Sequence, residues 1–242
     1  MEKRPVLLAM NNVTKSFNDN IILKDINLNF DSGKIYGLLG PNGVGKTTLM
    51  KTIVGLNVID RGSIVFHTID ITNGNHEQMR SQIGSLIEYP IFPSTYTVKQ
   101  VLSEQLFLMN IKIDRAYLIK IIDLLDLTSQ SNIKVKNLSL GWKQRLGIAR
   151  AVANYPKLLL LDEPFNGLDL IAVQKVTKLI QYLAKQGVCI IISSHNLEEL
   201  ANIADQLLLI KHSQIKLISQ KQIDNNIKNY YYHQFSDWET KH

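Results

Sequence analysis

Short apolar segments alternate with polar turns along most of the chain, and this pattern indicates an α/β protein. Apolar and polar residues alternate one by one in Ile26–Phe30, which is typical of a strand with one buried face. Leu158–Leu161 is apolar throughout, as expected for a strand covered on both faces. From Thr97 to Asp126 the apolar residues recur at helical spacing. This block interrupts the alternation, so we expect a helical subdomain inserted into an α/β core.

The other predicted elements follow from the same patterns. Asn11-Asn12 is expected to be a turn that ends a first strand, and residues 67–80 are expected to form a polar loop. The tail from about residue 225 is polar with aromatic interruptions, including Trp238. Further strands are predicted at 6–10, 21–23, 34–39, 64–66, 83–87, 188–192, 207–210 and 215–218, and helices at 49–53, 98–109, 117–127, 142–152, 170–185 and 197–204.

Composition narrows the class of protein only slightly. The 242 residues carry a formal net charge of +6, but the lysines and arginines are scattered, which favours a solvated surface over a nucleic-acid or membrane site. Cys189 is the single cysteine and lies in an apolar run, so we expect a core residue in a reducing compartment. Apolar runs are far shorter than the ~18 residues that cross a bilayer, and no secretory signal is visible. Any membrane association is therefore expected to require a partner.

The strongest chemical signal is a glycine-rich loop between a predicted strand and a predicted helix. It fits the P-loop pattern, in which backbone N–H groups surround a phosphate. Lys46 is expected to reach the β- and γ-phosphates of a nucleoside triphosphate, and Thr47 to offer its hydroxyl to Mg²⁺. The helix that begins here adds its positive dipole end. The predicted nucleotide-binding residues of this loop are Gly40, Pro41, Asn42, Gly43, Val44, Gly45, Lys46, Thr47 and Thr48.

Two carboxylates follow the apolar strand Leu158–Leu161. Open α/β sheets bind ligands at the carboxyl ends of their strands, which would bring Asp162 and Glu163 to the P-loop. Asp162 is suited to the Mg²⁺ shell and Glu163 to orienting or deprotonating the attacking water. His195 follows the next predicted strand, and its spacing alone does not decide between a loop residue and a catalytic one.

These motifs and three others resemble the ATP-binding subunit of an ABC transporter over nearly the whole chain. Leu138–Gly141 followed by Lys143–Leu146 is similar to the ABC signature, and Asn166–Asp169 to the D-loop. His195 corresponds to the switch histidine and Phe17 to the aromatic residue that stacks on adenine. Periodicity alone favours a core position for Phe17, and the resemblance reverses that interpretation.

The resemblance implies a P-loop NTPase core with an N-terminal antiparallel β subdomain and an inserted helical subdomain at about 95–150. The ATP-binding domain would span 6–225 and a C-terminal tail 226–242. Two cassettes would enclose two ATP molecules, with Ser139 and Gly141 of one completing the γ-phosphate site of the other, and Asp169 contributing from the D-loop. The implied activity is ATP hydrolysis with Mg²⁺ as cofactor.

Several positions depart from the family pattern. Glu88 stands where glutamine is usual, Leu140 and Trp142 replace the usual glycine and glutamine of the signature, and Leu170 replaces a proline after the D-loop. A carboxylate at position 88 can still ligate Mg²⁺ or position water, so Glu88 is retained as a catalytic and metal-binding candidate. None of these departures affects Lys46, Thr47, Asp162 or Glu163, and we therefore expect an active ATPase.

Glu88 and the Leu-Ser-Leu-Gly signature resemble bacterial cassettes of the lantibiotic-immunity and bacitracin-resistance type. Such cassettes work at the cytoplasmic face of the membrane with separate transmembrane permease subunits and a second cassette, most simply a second copy of the same chain. Export of a lipid or drug is an alternative. A soluble ABC ATPase acting on DNA or ribosomes is disfavoured by the single P-loop and the lack of heptads, so no nucleic-acid partner is expected. A nucleotide-binding regulator without turnover also remains open.

Overall fold

The computed structural model describes residues 5–72, 79, 81–109, 115–218, 223 and 226–236. The strands are β1 (Val6–Phe17), β2 (Asn20–Asp31), β3 (Ile35–Leu39), β4 (Arg61–Phe66), β5 (Ile69–Asp70), β6 (Ile83–Leu86), β7 (Leu158–Leu161), β8 (Cys189–Ser193), β9 (Gln206–Lys211) and β10 (Gln214–Ile218). The α-helices are α1 (Lys46–Ile53), α2 (Val98–Leu108), α3 (Arg115–Leu124), α4 (Leu140–Val152), α5 (Leu170–Lys185), α6 (Leu197–Ile203) and α7 (Ile227–Phe235).

These strands form two sheets. The antiparallel sheet has the order β2-β1-β4-β5, and the larger sheet has the order β10-β9-β3-β8-β7-β6. Strands β9, β3, β8, β7 and β6 are parallel to one another, and β10 pairs antiparallel with β9. The carboxyl ends of five strands therefore meet at one edge of the larger sheet, which is where open α/β sheets bind ligands.

The apolar run of β7 is explained by two cores on opposite faces of the larger sheet. Leu158 and Leu160 pack in the core shared with the antiparallel sheet, whereas Leu159 and Leu161 pack in the core shared with the helices. Because successive side chains of a strand point to opposite faces, a strand with a core on each side must be apolar at every position. Cys189 is fully buried in the first core, as the sequence predicted.

The N-terminal strands are longer than predicted. Asn11-Asn12 was expected to be a turn but lies inside β1, where the pairing with β2 shifts register between Met10 and Val13. Asn12 has a positive φ of 50°, and its N–H donates to Asn27 Oδ1 at 3.0 Å. The asparagines therefore mark an irregularity within a continuous strand, because asparagine tolerates the left-handed conformation that such a kink requires.

The helical block contains α2, α3 and two short 3₁₀ turns, Thr128–Gln130 and Val135–Asn137. Thr97 and Gln100 form a capping box at the start of α2. Helix α3 ends before the predicted residue 127, and Asp126 just beyond it has a positive φ of 57°. The carboxylate of Asp126 accepts from Arg145 at 3.0 Å and from Lys175, which ties the end of the block to α4 and α5.

Two elements lie where the sequence predicted a loop and a polar tail. A short strand, β5, lies inside the stretch 67–80, of which residues 73–78 and 80 are outside the described residues. The polar tail forms α7, capped by the Asn226 side chain, with Ile227 and Phe235 buried. Lys228 Nζ lies 2.7 Å from Glu198 Oε1 on α6. Trp238 and the linker residues 219–222 and 224–225 are outside the described residues.

No helix among the described residues combines the length and apolarity needed to cross a bilayer.

Candidate functional site

The loop from Gly40 to Thr48 connects the carboxyl end of β3 to the start of α1. Gly40 has φ 156°, and a Cβ at this position would lie 2.7 Å from Val44 Cγ1, so a larger residue would clash. Gly43 has φ 77°, a conformation that side chains disfavour, and the space beside its Cα is open within 4 Å. The loop thus takes a glycine-dependent path and leaves room for a ligand against its backbone.

The Lys46 amine is buried inside this loop. Its Nζ donates to the carbonyl oxygens of Gly40 at 2.6 Å and Pro41 at 3.1 Å, so the side chain lies across the loop. Burial lowers the pKa of Lys46, and the nearby carboxylates of Glu163 and Asp162 oppose that shift. A cation held in this position is well placed to pair with an anion that enters the loop.

Asp162 is held at the end of β7 by hydroxyl groups from two other elements. Thr47 Oγ1 on α1 donates to Asp162 Oδ2 at 2.5 Å, and Ser193 Oγ at the end of β8 donates to Oδ1 at 2.6 Å. Ser193 Oγ also accepts from the Glu163 N–H at 2.9 Å. These bonds fix the end of β7 against the P-loop helix and place one hydroxyl and one carboxylate side by side.

Glu163 and His195 form the outer side of the same site. The His195 N–H donates to Glu163 Oε2 at 3.0 Å, and His195 Nε2 lies 3.2 Å from Oε1. Burial raises the pKa of Glu163, and the charges of His195 and Lys46 oppose the shift. Glu163 has a positive φ of 51°, which turns the chain sharply after Asp162. A carboxylate with a raised pKa at this position is suited to proton transfer.

These groups surround a cavity of about 170 Å³. That volume corresponds to about six water molecules, which suits phosphate groups and not a whole nucleotide. The lining residues are Pro41, Asn42, Gly43, Gly45, Lys46, Thr47, Thr48, Asp162, Glu163 and His195.

The signature and D-loop motifs form a second surface. Ser139 is the N-cap residue of α4, as predicted, but its exposed hydroxyl makes no capping hydrogen bond. A Cβ on Gly141 would lie 2.8 Å from the carbonyl oxygen of Gly167, so the two motifs are in direct contact. Asp169 caps α5 by accepting from the Ala172 N–H at 2.7 Å. The structure therefore brings these residues together with one another, and none of them lines the phosphate-sized cavity.

Phe17 lies at the end of β1, with 45% of its surface exposed. Lys15 Nζ is 4.8 Å from the centroid of its ring. The interpretation of Phe17 as a core residue, based on periodicity, is therefore wrong: the ring lies at a strand end and not over the apolar centre of the sheet. An exposed ring at this position leaves a face available for stacking.

Glu88 follows β6, with a positive φ of 63°. Its carboxylate lies 2.5 Å from Lys51 Nζ on α1, and its side chain is 63% exposed. Glu88 is not among the residues that line the cavity. The backbone nevertheless passes close to the site, because the Asp162 N–H donates to the Leu86 carbonyl oxygen at 2.8 Å.

Comparison with known proteins decides the family. The family model described as ABC transporter matches residues 23–166, well over half of the chain. This chain belongs to the ABC transporter ATP-binding proteins. The cassette is 37% identical over 223 residues to the lantibiotic transport ATP-binding protein SrtF of Streptococcus pyogenes, covering 91% of this chain and 93% of that protein. It is 35% identical over 214 residues to the bacitracin transport ATP-binding protein BcrA of Bacillus licheniformis, covering 86% and 68%.

A solved structure of the ATP-binding subunit of an ABC transporter superimposes on the cassette with a TM-score of 0.85. The alignment covers 96% of this chain and 100% of that one at 22% identity, and at that identity the likeness concerns the fold. The predicted family, the fold class and the ATPase activity are thereby confirmed. The individual site residues and the domain boundaries stay predictions.

The cassette's own residues fit ATP, because an open backbone at Gly43 and a buried amine at Lys46 face the same cavity. The sequence patterns assigned no role in this site to two residues that hold it in shape. Ser193 bonds to Asp162 only because β7 and β8 pair. Gln144 on α4 donates to the Glu163 carbonyl oxygen at 3.1 Å, although the two residues are 19 positions apart in the chain. Neither contact has a local sequence signal.

Proposed function

We propose that this cassette hydrolyses ATP with Mg²⁺ to drive export of a lantibiotic or a similar peptide antibiotic through separate membrane subunits, and so gives its cell immunity or resistance. The observation that carries the proposal is the similarity to SrtF along 93% of that protein's length. BcrA, which is named for bacitracin transport, supports the same class of substrate.

Nucleotide binding begins at the P-loop in this proposal. Backbone N–H groups of the loop and the N-terminus of α1 bind the phosphates, and Lys46 exchanges its two carbonyl partners for phosphate oxygens. The exposed ring of Phe17 stacks on the adenine.

Thr47 and Asp162 would hold Mg²⁺, because their oxygens are adjacent and both are hard ligands. The described residues contain no cluster of three or more His, Cys, Asp or Glu side chains suited to a metal. Thr47 and Asp162 alone nevertheless match the usual Mg²⁺ site, in which one or two protein ligands are completed by phosphate oxygens and water. Mg²⁺ would neutralise charge on the phosphates, and Glu88 is proposed as a further ligand once it leaves Lys51.

Glu163 is proposed as the general base that takes a proton from the attacking water. The His195 N–H donates to the Glu163 carboxylate and the His195 ring lies 3.2 Å from its other oxygen, which orients the base toward the cavity. The raised pKa of Glu163 increases its basicity.

A second copy of the chain is proposed to complete the site. Ser139 and Gly141, at the N-terminus of α4, present a hydroxyl and backbone N–H groups that suit a γ-phosphate. Asp169 would contribute from the adjoining D-loop. The physical support is that the Ser139 hydroxyl is exposed at this helix start, makes no capping hydrogen bond and does not line the cavity of its own chain.

The membrane subunits are proposed to bind beside Glu88. Ile91 is 84% exposed and Tyr89 is 49% exposed, both in the segment that follows β6. Exposed apolar side chains next to a nucleotide site suit a partner that must respond to the nucleotide. The cassette would then lie at the cytoplasmic face of the membrane, held there by its partners.

The test is co-expression of this chain with its cognate membrane subunits in an antibiotic-sensitive bacterium. We expect protection against a lantibiotic or bacitracin, and loss of that protection with Glu163→Gln at equal expression. Protection only against a lipophilic drug would favour the alternative exporter. No protection against any peptide, with ATPase activity intact, would overturn the proposed substrate class.

A further inference from the structure

Helix α1 carries two polar side chains that each bind a carboxylate. Thr47 and Lys51 are four residues apart, so they lie on the same face of the helix. Thr47 Oγ1 lies 2.5 Å from Asp162 Oδ2, and Lys51 Nζ lies 2.5 Å from Glu88 Oε1. One helix face is thus joined to both carboxylates.

These two carboxylates follow neighbouring strands. Leu86 of β6 pairs with Leu161 of β7, so Asp162 and Glu88 come one and two residues after paired positions. Because the strands are parallel, both chain segments leave the sheet at the same edge as the P-loop. Glu88 nevertheless points to Lys51, is largely exposed and does not line the cavity.

The charges around the phosphate cavity disfavour a further unpaired carboxylate. Among the described lining residues, Asp162 and Glu163 already face the single buried amine of Lys46. An unneutralised carboxylate at the adjoining strand end would add repulsion against the phosphates. An uncharged glutamine at position 88 would add no such repulsion. Glu88 therefore requires a positive counter-charge, which a glutamine would not require.

We propose that Lys51 is a positioning residue for nucleotide binding: until Mg²⁺ binds, it neutralises Glu88 and holds it beside, and not inside, the phosphate cavity. The inference rests on the proposed role of Glu88 in the nucleotide site and adds the partner that makes a carboxylate compatible with that site. Loss of Lys51 then harms the cassette only while Glu88 carries its charge.

The experiment measures ATP affinity by titration calorimetry in buffer with EDTA, which removes Mg²⁺ and hydrolysis from the readout. We expect Lys51→Met to weaken binding by about threefold to tenfold, because one uncompensated charge then faces the phosphates. Lys51→Met combined with Glu88→Gln should restore the parent affinity, and Lys51→Arg should retain it. Glu88→Gln alone should bind ATP at least as tightly as the parent.

Lys34→Met is the matched control. Lys34 pairs with Asp31 at 2.6 Å and is exposed to a similar degree as Lys51. It lies at the opposite end of the five-residue β3 from the P-loop, about 16 Å away along the strand. This variant should bind ATP like the parent.

The proposal is overturned if Lys51→Met binds ATP no more weakly than Lys34→Met, or if adding Glu88→Gln fails to rescue it. If Lys51→Met does not fold, the proposal is overturned when Glu88→Gln alone binds ATP more weakly than the parent. Loss of ATP binding in the parent chain would instead contradict its role as an ATPase, and failed protection in cells would contradict only the proposed export.

Discussion

The cassette has two functional surfaces that differ in how far one chain completes them. At the edge of the larger sheet, Asp162 has two hydroxyl donors, and Glu163 accepts from the His195 N–H with the His195 ring beside it. At the signature surface, Ser139 is exposed without a side-chain cap bond and Leu170 is 80% exposed. The first surface is assembled within the chain, and the second is ordered but open.

The difference follows from the elements that build each surface. Parallel strands fix their carboxyl ends by backbone pairing, so the groups that follow them are positioned before any ligand binds. The signature surface depends on a contact between Gly141 and the Gly167 carbonyl, which leaves its polar groups facing solvent. Ile171, 66% exposed beside Leu170, adds an apolar margin that suits burial against a second protein. Variants of the first surface should therefore change ATP binding, ATP hydrolysis or both, whereas variants of the signature surface should change hydrolysis alone.

Glu163→Gln should have the largest effect on turnover. Removing a general base typically slows a reaction by about 10²–10⁴-fold, and the isosteric amide preserves the shape of the site. ATP binding should be retained, because among the described residues Glu163 is hydrogen-bonded to Gln144, Ser193 and His195 and to no residue of the P-loop. Phosphate release assays and calorimetry measure the two properties. Unchanged hydrolysis would show that another group is the base and would remove Glu163 from the first surface.

Lys46→Ala should weaken ATP binding by about a hundredfold, because charge-assisted hydrogen bonds to the phosphates are lost at about 1.5–3 kcal/mol each. The fold should persist, since the P-loop carbonyls that Lys46 contacts can bind water instead. Equilibrium binding of ATP measures the loss, with Lys34→Ala as the control. Near-parent affinity would contradict the view that the first surface binds nucleotide within one chain.

Ser139→Ala should separate the two surfaces most sharply. ATP binding to the isolated chain should match the parent, whereas hydrolysis should fall by about tenfold, as expected for one lost hydrogen bond to a charged group. The matched control is Ser103→Ala, an exposed serine on α2 away from the signature. If Ser139→Ala weakened binding and hydrolysis equally, the two surfaces would belong to a single site within the chain.

Asn196→Ala should have the smallest effect, on stability. The Asn196 side chain caps α6 by accepting from the Glu199 N–H at 3.2 Å, and loss of such a cap costs about 1 kcal/mol. Asn226→Ala removes the equivalent bond in α7, from the Asn229 N–H at 3.0 Å. Both variants should lower the free energy of unfolding in denaturant titrations, but only Asn196→Ala, beside His195, should also slow hydrolysis. If Asn196→Ala hydrolysed ATP as fast as Asn226→Ala, α6 would have no part in the first surface.

The sequence predicted most of this organisation because the decisive signals are local. The P-loop, the apolar strand before Asp162 and the position of Ser139 at a helix start each depend on neighbouring residues alone. Other predictions failed where the context is tertiary. Asn11-Asn12 lies within β1 because the partner strand continues past it. Phe17 is exposed because β1 ends at this residue, and the period of apolar residues does not show where a strand ends.

Local sequence patterns were enough to predict the glycine-rich loop after β3, most of the strands and helices, and the family to which the chain belongs. Three contacts became visible only in the folded chain: Ser193 bonds to Asp162, Gln144 bonds to the Glu163 backbone, and Glu88 binds Lys51. The physical reason is that these contacts join residues 19 to 37 positions apart through strand pairing and helix packing. A local pattern records which side chains are present, and the fold decides which of them meet.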